Sequence, residues 1–420
     1  MEANNMRVGK VIIGANYGDE GKGLMTDYLV SQDPDDSIVV RFNGGAQAGH
    51  TVVLPNGRRH IFSHFGAGSL VGCPTYLSRF FIVNPLLFVK ELKQLHGLSA
   101  KPSITMSDKA MVTTPFDMFI NQTVERRRGI TRHGSCGLGI NETVTRCLQS
   151  TDFRLLGGDL NHSTLLFSKL MKLGRTWFFE RLKQHQVDFA STDVQSFINN
   201  MEPIARQFVG DVELMLTGSI ITTEYPRQRQ IIFEGAQGLM LDEDRIDQWP
   251  HVTRSKTGLA NVVYLAHRFG LDKLEVTYVS RTYLTRHGAG PLPGECSWKI
   301  SDLTNVTNRF QGNLRFASLD CHQLRNSIQL DLSRARLSFP AINANIAMTC
   351  ADQIPLPDRN ALPLPLQYVS YGPRRSHVLR CSERSSLAHA VSIGLPAKHA
   401  IDAPLQELQA SLAPGCIGVN

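Results

Sequence analysis

Short apolar runs recur along the chain, and several end in a glycine-bearing loop. Residues 11–13 (Val-Ile-Ile) lead into Gly14 and a glycine-rich turn, the pattern of strand, loop and helix. Residues 37–42 (Ser-Ile-Val-Val-Arg-Phe) predict a second strand that also closes on glycines. A third is expected at 230–234, entering Gly-Ala-Gln-Gly, a fourth at 274–279, and later ones at 344–349 and 366–370. Residues 85–92 (Pro-Leu-Leu-Phe-Val-Lys-Glu-Leu) read as a helix. Apolar strands separated by helical stretches predict an α/β fold. It has a large, mostly parallel central sheet, helices on both faces and a P-loop-like first connection. No repeat or low-complexity linker interrupts the pattern. The proline-rich stretch 355–365 is too short to mark a domain boundary, so 1–420 is expected to be a single domain with inserted loops.

Composition narrows the class. With 42% hydrophobic and 19% charged residues, a 420-residue chain can bury a large core, which excludes disorder. No apolar run approaches the roughly 18 residues of a membrane span. The first residues lack a signal-peptide layout, so a cytoplasmic location is expected. The eight cysteines form no Cys-x-x-Cys pair and read as reduced thiols. The net charge of +7 is dispersed. Its densest runs, 126–128 and 374–375, lack interleaved aromatics, so neither nucleic acid nor membrane is an expected partner. Small phosphorylated ligands account for the charge.

Three loops carry candidate chemistry. The first runs from Gly14 through Gly18-Asp19-Glu20-Gly21-Lys22-Gly23. Its glycines let backbone N–H groups approach a phosphate, Lys22 adds a cation, and the following helix points its positive end at the anion. It resembles the Gly-Lys phosphate-binding loop, yet Gly23 stands where that motif has Ser or Thr for magnesium. Asp19 is the candidate to take over the metal. The second loop, Asn43-Gly44-Gly45-Ala46-Gln47-Ala48-Gly49-His50-Thr51, offers carboxamides and an imidazole. The third, Glu234-Gly235-Ala236-Gln237-Gly238, ends another strand. Open α/β sheets bind ligands at such strand ends.

Together these segments resemble the adenylosuccinate synthetase family. The matching motifs are 18–23, 44–51 and 233–238, then 285–293 (Thr-Arg-His-Gly-Ala-Gly-Pro-Leu-Pro) and 369–373 (Val-Ser-Tyr-Gly-Pro), in family order. The resemblance implies a homodimeric ligase using Mg2+, ATP or GTP, L-aspartate and a purine nucleoside monophosphate. It implies that Asp19 removes the proton from ring N1, that O6 takes the γ-phosphoryl group, and that the aspartate amine then displaces phosphate at C6. His50 stabilises or protonates the leaving oxygen, Lys22 spreads charge and Gln237 holds the purine. Mg2+ sits on Asp19 and the Gly49 carbonyl. Gly18, Glu20, Gly21, Gly23, Asn43 and Gln47 are the implied loop contacts. Thr253 matches a 5′-phosphate contact, and Arg146 the arginine that crosses the dimer interface. Asp352, Ser370 and Gly372 match the pocket for the triphosphate base.

The chain also departs from the family pattern. In 307–320 only Arg309 and Arg315 remain as cations for aspartate, and an arginine that reaches the ribose 2′-hydroxyl is missing. The lysine expected three residues before Asp352 is absent. Ser135 or His133 replaces a phosphate-binding threonine, and His287 stands where Val is usual. These departures resemble a divergent phage branch that joins aspartate to deoxyguanylate. Expected acceptors are therefore dGMP first and IMP second. A non-catalytic nucleotide-binding regulator is the rival class, but it would have lost Asp19, His50 or Gln237, and all three are present.

Overall fold

The computed structural model describes residues 6–298, 300, 302 and 312–381. The residues through Arg380 form one compact unit. The first apolar run is β1 (Val8–Gly14), and the loop after it starts α1 (Lys22–Val30). β2 (Ser37–Arg41) follows, then a hairpin of β3 (His50–Val53) and β4 (Arg59–Phe62). Next come β5 (Thr75–Leu77), β6 (Ile82–Val83), α2 (Pro85–Gly97), β7 (Ile104–Ser107), β8 (Met111–Val112) and α3 (Pro115–Arg128). Both helices start with proline behind a capping side chain, Asn84 for α2 and Thr114 for α3. Thr114 and Asp117 form a reciprocal capping box.

A helical excursion then runs through α4 (Ile140–Gln149), α5 (Ser163–Arg175), α6 (Trp177–Gln184), α7 (Thr192–Asn199) and α8 (Met201–Thr217). It buries its own apolar cluster, including Leu170, Phe178, Phe197 and Phe208, against Leu92 of α2 and Phe116 of α3. The chain rejoins the sheet at β9 (Ile220–Thr222) and β10 (Gln230–Glu234). The remainder supplies α9 (Ala260–Phe269), β11 (Lys273–Arg281), β12 (Tyr283–His287), β13 (Glu295–Cys296), β14 (Leu314–Ser318), α10 (Cys321–Arg336), β15 (Ile342–Thr349), β16 (Leu366–Ser370) and β17 (Val378–Arg380).

The ten-stranded sheet has the order β17-β16-β15-β11-β1-β10-β2-β5-β7-β9. All neighbours are parallel except β17, which runs against β16. Each strand expected from the apolar runs falls on an observed one. Alternation along β1 explains the layering: Val11 and Ile13 pack under α9 and α10, while Ile12 faces α1. β2 is buried along its whole length, as a strand covered on both faces must be. Later strands add to both sides of β1, so the order switches there. The carboxyl ends of β1, β10, β2 and β11 frame the crevice that such a switch creates.

Candidate functional site

The loop after β1 is folded around Glu20. Its buried carboxylate accepts the N–H groups of Asn16 (3.0 Å) and Gly18 (2.9 Å) on Oε1 and takes Lys22 Nζ at 2.8 Å on Oε2. Glu20 thus organises the loop from inside, and Lys22, expected beside a phosphate, is paired with Glu20. A buried ammonium needs a counter-charge, and Glu20 is the nearest one. The anion-seeking element left is the start of α1. Gly21 is its N-cap with no side-chain cap, and its first turn has no acidic residue.

Asp19 sits at the crest of this loop with φ +60 and a part-exposed carboxylate. The strands beside it grip the loop. Arg281 Nε donates to the Asp19 carbonyl (2.6 Å), Thr285 Oγ1 to the Gly18 carbonyl (3.1 Å) and Thr349 Oγ1 to the Glu20 carbonyl (2.7 Å). His287 Nε2 lies 3.6 Å from Asp19 Oδ2.

His50 is the buried imidazole of the site. Its Nδ1–H donates to Glu234 Oε1 at 2.8 Å, and its Nε2 has no partner among the described residues. Burial holds the imidazole below its usual range and keeps it neutral, against the pull of Glu234. Burial pushes the Glu234 carboxyl up, but His50, Arg41 and the Ala67 N–H outweigh it and hold it down. Arg41 Nε lies 3.9 Å from Glu234 Oε2, and both are fully buried. Gly23 packs directly on this histidine. A β-carbon there would lie 2.9 Å from His50 Cβ. The Ser or Thr of a magnesium-binding phosphate loop has no room in this chain because His50 fills the space.

The β2 and β10 loops are tied together by Asn43. Its amide donates to the Ala236 carbonyl (3.0 Å) and accepts the Ala236 N–H (2.7 Å). These two hydrogen bonds let Asn43 position the loops, and its second N–H is not used by either of them. Gln47 is the opposite case. Both its amide atoms are buried with no partner among the described residues, and burying a polar group unpaired is costly unless something else satisfies it. Gln237 is part-exposed at φ +63. Gly49 is exposed at the entrance to β3.

The wall beyond β12 is built from loops 132–139, 250–257 and 287–290. Gly134 packs against Gly288 and Ala289, and His251 Nδ1 meets the His133 carbonyl at 3.0 Å. Arg286 pins this wall as a buried cation with no carboxylate among its contacts with the described residues. It donates to Gln248 Oε1, the Pro291 carbonyl and the His251 carbonyl, and lies over the Tyr17 ring at 4.7 Å. Burial pulls its pKa down to about 10. Thr253 lies half-buried here, its N–H bound to the Leu241 carbonyl. The Ser135 hydroxyl donates to Asn121 Oδ1 at 2.9 Å, turning into α3 and not outward. Arg315, expected to take aspartate, has its guanidinium on both Glu295 oxygens and the Gly288 and Gly290 carbonyls. Arg309 lies outside the described residues.

Asp352 is exposed beside the end of β15. Ser370 closes its own turn by donating to the Gly372 carbonyl at 2.6 Å. Arg146, expected to cross a dimer interface, lies fully buried in its own chain. Nη2 binds Asp117 Oδ2 at 2.8 Å and the Val112 carbonyl at 2.7 Å, while Nη1 binds the Phe153 carbonyl at 2.7 Å. Sequence reasoning missed Arg41 and gave Glu234 no role beyond its place in the third loop. The available signal was a charged side chain closing each apolar strand just before a glycine loop.

Glycine-framed loops at the switch point of a parallel sheet, an uncapped helix start and a buried imidazole define an α/β protein with a candidate anion-binding crevice. More particularly, the chain belongs to the adenylosuccinate synthetase family, whose sequence profile matches residues 11–331. It is 33% identical over 304 residues to an adenylosuccinate synthetase of Nostoc sp., covering 70% of this chain and 64% of that protein. It is 28% identical over 328 residues to one of Borrelia turicatae, covering 76% and 73%. The chain thus spans less than two thirds of the length of the Nostoc relative. Two solved structures share the fold. One is a fully ligated adenylosuccinate synthetase of Plasmodium falciparum, with TM-score 0.64, 19% identity, and coverage of 90% of this chain and 100% of that one. The other is the succinoaminodeoxyadenylate synthetase of cyanophage S-2L bound to dGMP and dATP, with TM-score 0.54, 16% identity, and coverage of 89% and 95%.

Proposed function

We propose that the protein is a ligase that joins L-aspartate to C6 of a 6-oxopurine nucleoside monophosphate through a 6-phosphoryl intermediate, using ATP or GTP. The observation that carries this reading is His50. Its ring is locked to Glu234 on one side and presents a buried, unpartnered Nε2 on the other, beside the uncapped start of α1. A phosphate chain bound there brings negative charge to Nε2, and Glu234 behind the ring supports the proton that follows. His50 thereby stabilises the leaving oxygen. Asp19 takes the N1 proton, making O6 the nucleophile. Gln237 and the unsatisfied Gln47 amide supply hydrogen bonds to bound nucleotide. Thr253 and Asp352 border the monophosphate and triphosphate-base subsites, and Arg309 is the cation for aspartate.

The donor set fits Mg2+ of the kind held mainly by substrate. No group of three metal-binding side chains occurs among the described residues. One part-exposed carboxylate, Asp19, and one exposed carbonyl, Gly49, suit an ion that keeps phosphate and water ligands. When bound, Mg2+ supplies charge neutralisation on the transferring group. A homodimer belongs to the same reading, without Arg146 as its shared arginine. No helix among the described residues is long and apolar enough to cross a membrane.

The acceptor we favour is dGMP. Support comes from the 307–320 segment, which has lost cations, and from Arg315, whose guanidinium is committed to Glu295 and the Gly290 carbonyl. A site without groups for the 2′-hydroxyl has no reason to reject a deoxy sugar. IMP is the second reading, favoured by the retained Asp19 and the similarity to the curated enzymes. The test is phosphate release with aspartate across dGMP, GMP and IMP, each with ATP and with GTP. An IMP preference above about tenfold in kcat/KM, roughly 1.4 kcal/mol, rejects dGMP. No release with any pair rejects the ligase.

A further inference from the structure

The strands beside Asp19 hold it at three points. Arg281 of β11 and Thr285 of β12 bind the Asp19 and Gly18 carbonyls, which fixes the main chain at the residue with positive φ. The third point is the His287 Nε2 contact with Asp19 Oδ2 at 3.6 Å, and it alone of the three acts on the carboxylate. Both side chains are mostly sheltered, 18% and 24% exposed. His287 is also the register partner of Leu314, next to Arg315, so it stands where the Asp19 loop meets β14. A carboxylate at such a mouth has a broad terminal torsion and presents either oxygen unless something orients it.

We propose that His287 is the positioning residue for Asp19. With Nε2–H directed at Oδ2, it sets the rotation of the carboxylate and leaves Oδ1 for the N1–H of the acceptor purine. The inference rests on the reading of Asp19 as the N1 base. At 3.6 Å the pair is beyond hydrogen-bond range, and the bond forms only as substrate loads and the site closes up. His287 touches no reacting atom. Its contribution is orientation, which shows in the rate of the step Asp19 serves and not in substrate affinity.

The test uses the full chain and the variants His287→Val, His287→Gln and His287→Asn. Valine keeps the strand preference and removes the donor. Glutamine carries its amide nitrogen to about the place of Nε2, and asparagine stops short. Positional isotope exchange in oxygen-18-labelled triphosphate, without aspartate, reports proton removal and phosphoryl transfer alone. Steady-state turnover with aspartate reports the whole cycle. The expected result for His287→Val is a fall of about tenfold in exchange and in kcat together, the scale of one orienting hydrogen bond, with KM values held within about twofold. His287→Gln restores most of both rates and His287→Asn does not. That Gln–Asn contrast stands by itself if the valine variant fails to fold. Unchanged exchange, a loss confined to the KM for aspartate, or a glutamine variant no better than asparagine overturns the proposal. A wild type showing neither exchange nor phosphate release overturns the ligase reading, and this inference with it. An active wild type with indifferent variants overturns the inference alone.

Discussion

Replacing Arg146 by leucine separates a structural arginine from a substrate-binding one. In the structure its guanidinium lies against Asp117 at the start of α3, with both groups fully buried. Leucine removes the cation and leaves the carboxylate behind. Breaking one partner from a buried pair typically costs about 3–5 kcal/mol. Asp117 keeps the Thr114 N–H (2.8 Å) and hydroxyl (2.9 Å) of its capping box, which points to the lower end of that range. The carbonyls of Val112 and Phe153 lose their donors as well. At about 2.1 cal/mol/K per residue, a unit of this size unfolds with roughly 0.8 kcal/mol/K, so the melting temperature falls by about 4–6 °C. Differential scanning calorimetry reads this directly. Adding Asp117→Asn, which removes the stranded charge, recovers some of the loss. An unchanged melting temperature together with a tenfold rise in the KM for nucleotide would refute the reasoning and return Arg146 to a substrate.

His50→Ala and Asp19→Ala each lower turnover by about 10²–10⁴-fold, the usual contribution of one acid or base, while circular dichroism stays that of wild type. Gly23→Ser restores the hydroxyl of a typical phosphate loop but drives its β-carbon against His50 Cβ, 2.9 Å away, so kcat falls by about ten- to a hundredfold; a gain in activity sinks this account of Gly23. Burial pushes the Glu91 carboxyl up, but the neighbouring His60 and His64 imidazoles and the His64 N–H outweigh it and hold it at about 2, below the usual 4.5. A depressed carboxylate stabilises the folded state above its unfolded pKa, so the contribution is complete above pH 4.5 and is lost as pH falls toward 2. Denaturant titrations in that window should show Glu91→Gln with a flatter acid loss than wild type.

The sheet was legible because its strands are buried on both faces and read as apolar runs. Val11, Ile12 and Ile13 belong to opposite faces, yet each face is covered, so the run is continuous. The loops were legible as locations, since glycines mark where the chain must turn tightly. What the side chains in them bind was less so. Glu20 and Lys22 sit two residues apart in a motif that advertises phosphate, and only the folded loop shows that they bind each other. Asn43 looks like a ligand contact in sequence, but it clamps Ala236, 193 residues away. Arg146 aligns with a motif arginine, while its partner Asp117 comes from a different helix. Pairings across long sequence separations decide these roles, and no local pattern encodes them.

Backbone strain tells the two kinds of residue apart. Among the described residues, five non-glycine residues have positive φ: Asp19, Ser99, Gln186, Gln237 and Cys350. Ser99 and Gln186 follow α2 and α6, where a left-handed residue commonly ends a helix. The other three sit just past the carboxyl ends of β1, β10 and β15, where no helix needs ending. A side chain in that region costs on the order of 1–2 kcal/mol, and glycine would avoid it. Glycine is plainly tolerated nearby, since Gly18 and Gly21 lie on either side of Asp19 with φ of +95 and +94. Stability therefore does not account for a carboxylate at 19 or a carboxamide at 237. Each sits in a strained place beside the crevice, partly exposed, where the proposed function gives it a ligand to meet. Asn43 and Glu20 have no such strain and spend their polar atoms inside the fold. In the β1 and β10 loops positive φ thus marks the two residues proposed to meet ligand, Asp19 and Gln237, whereas His50 and Gln47 take their proposed roles without it.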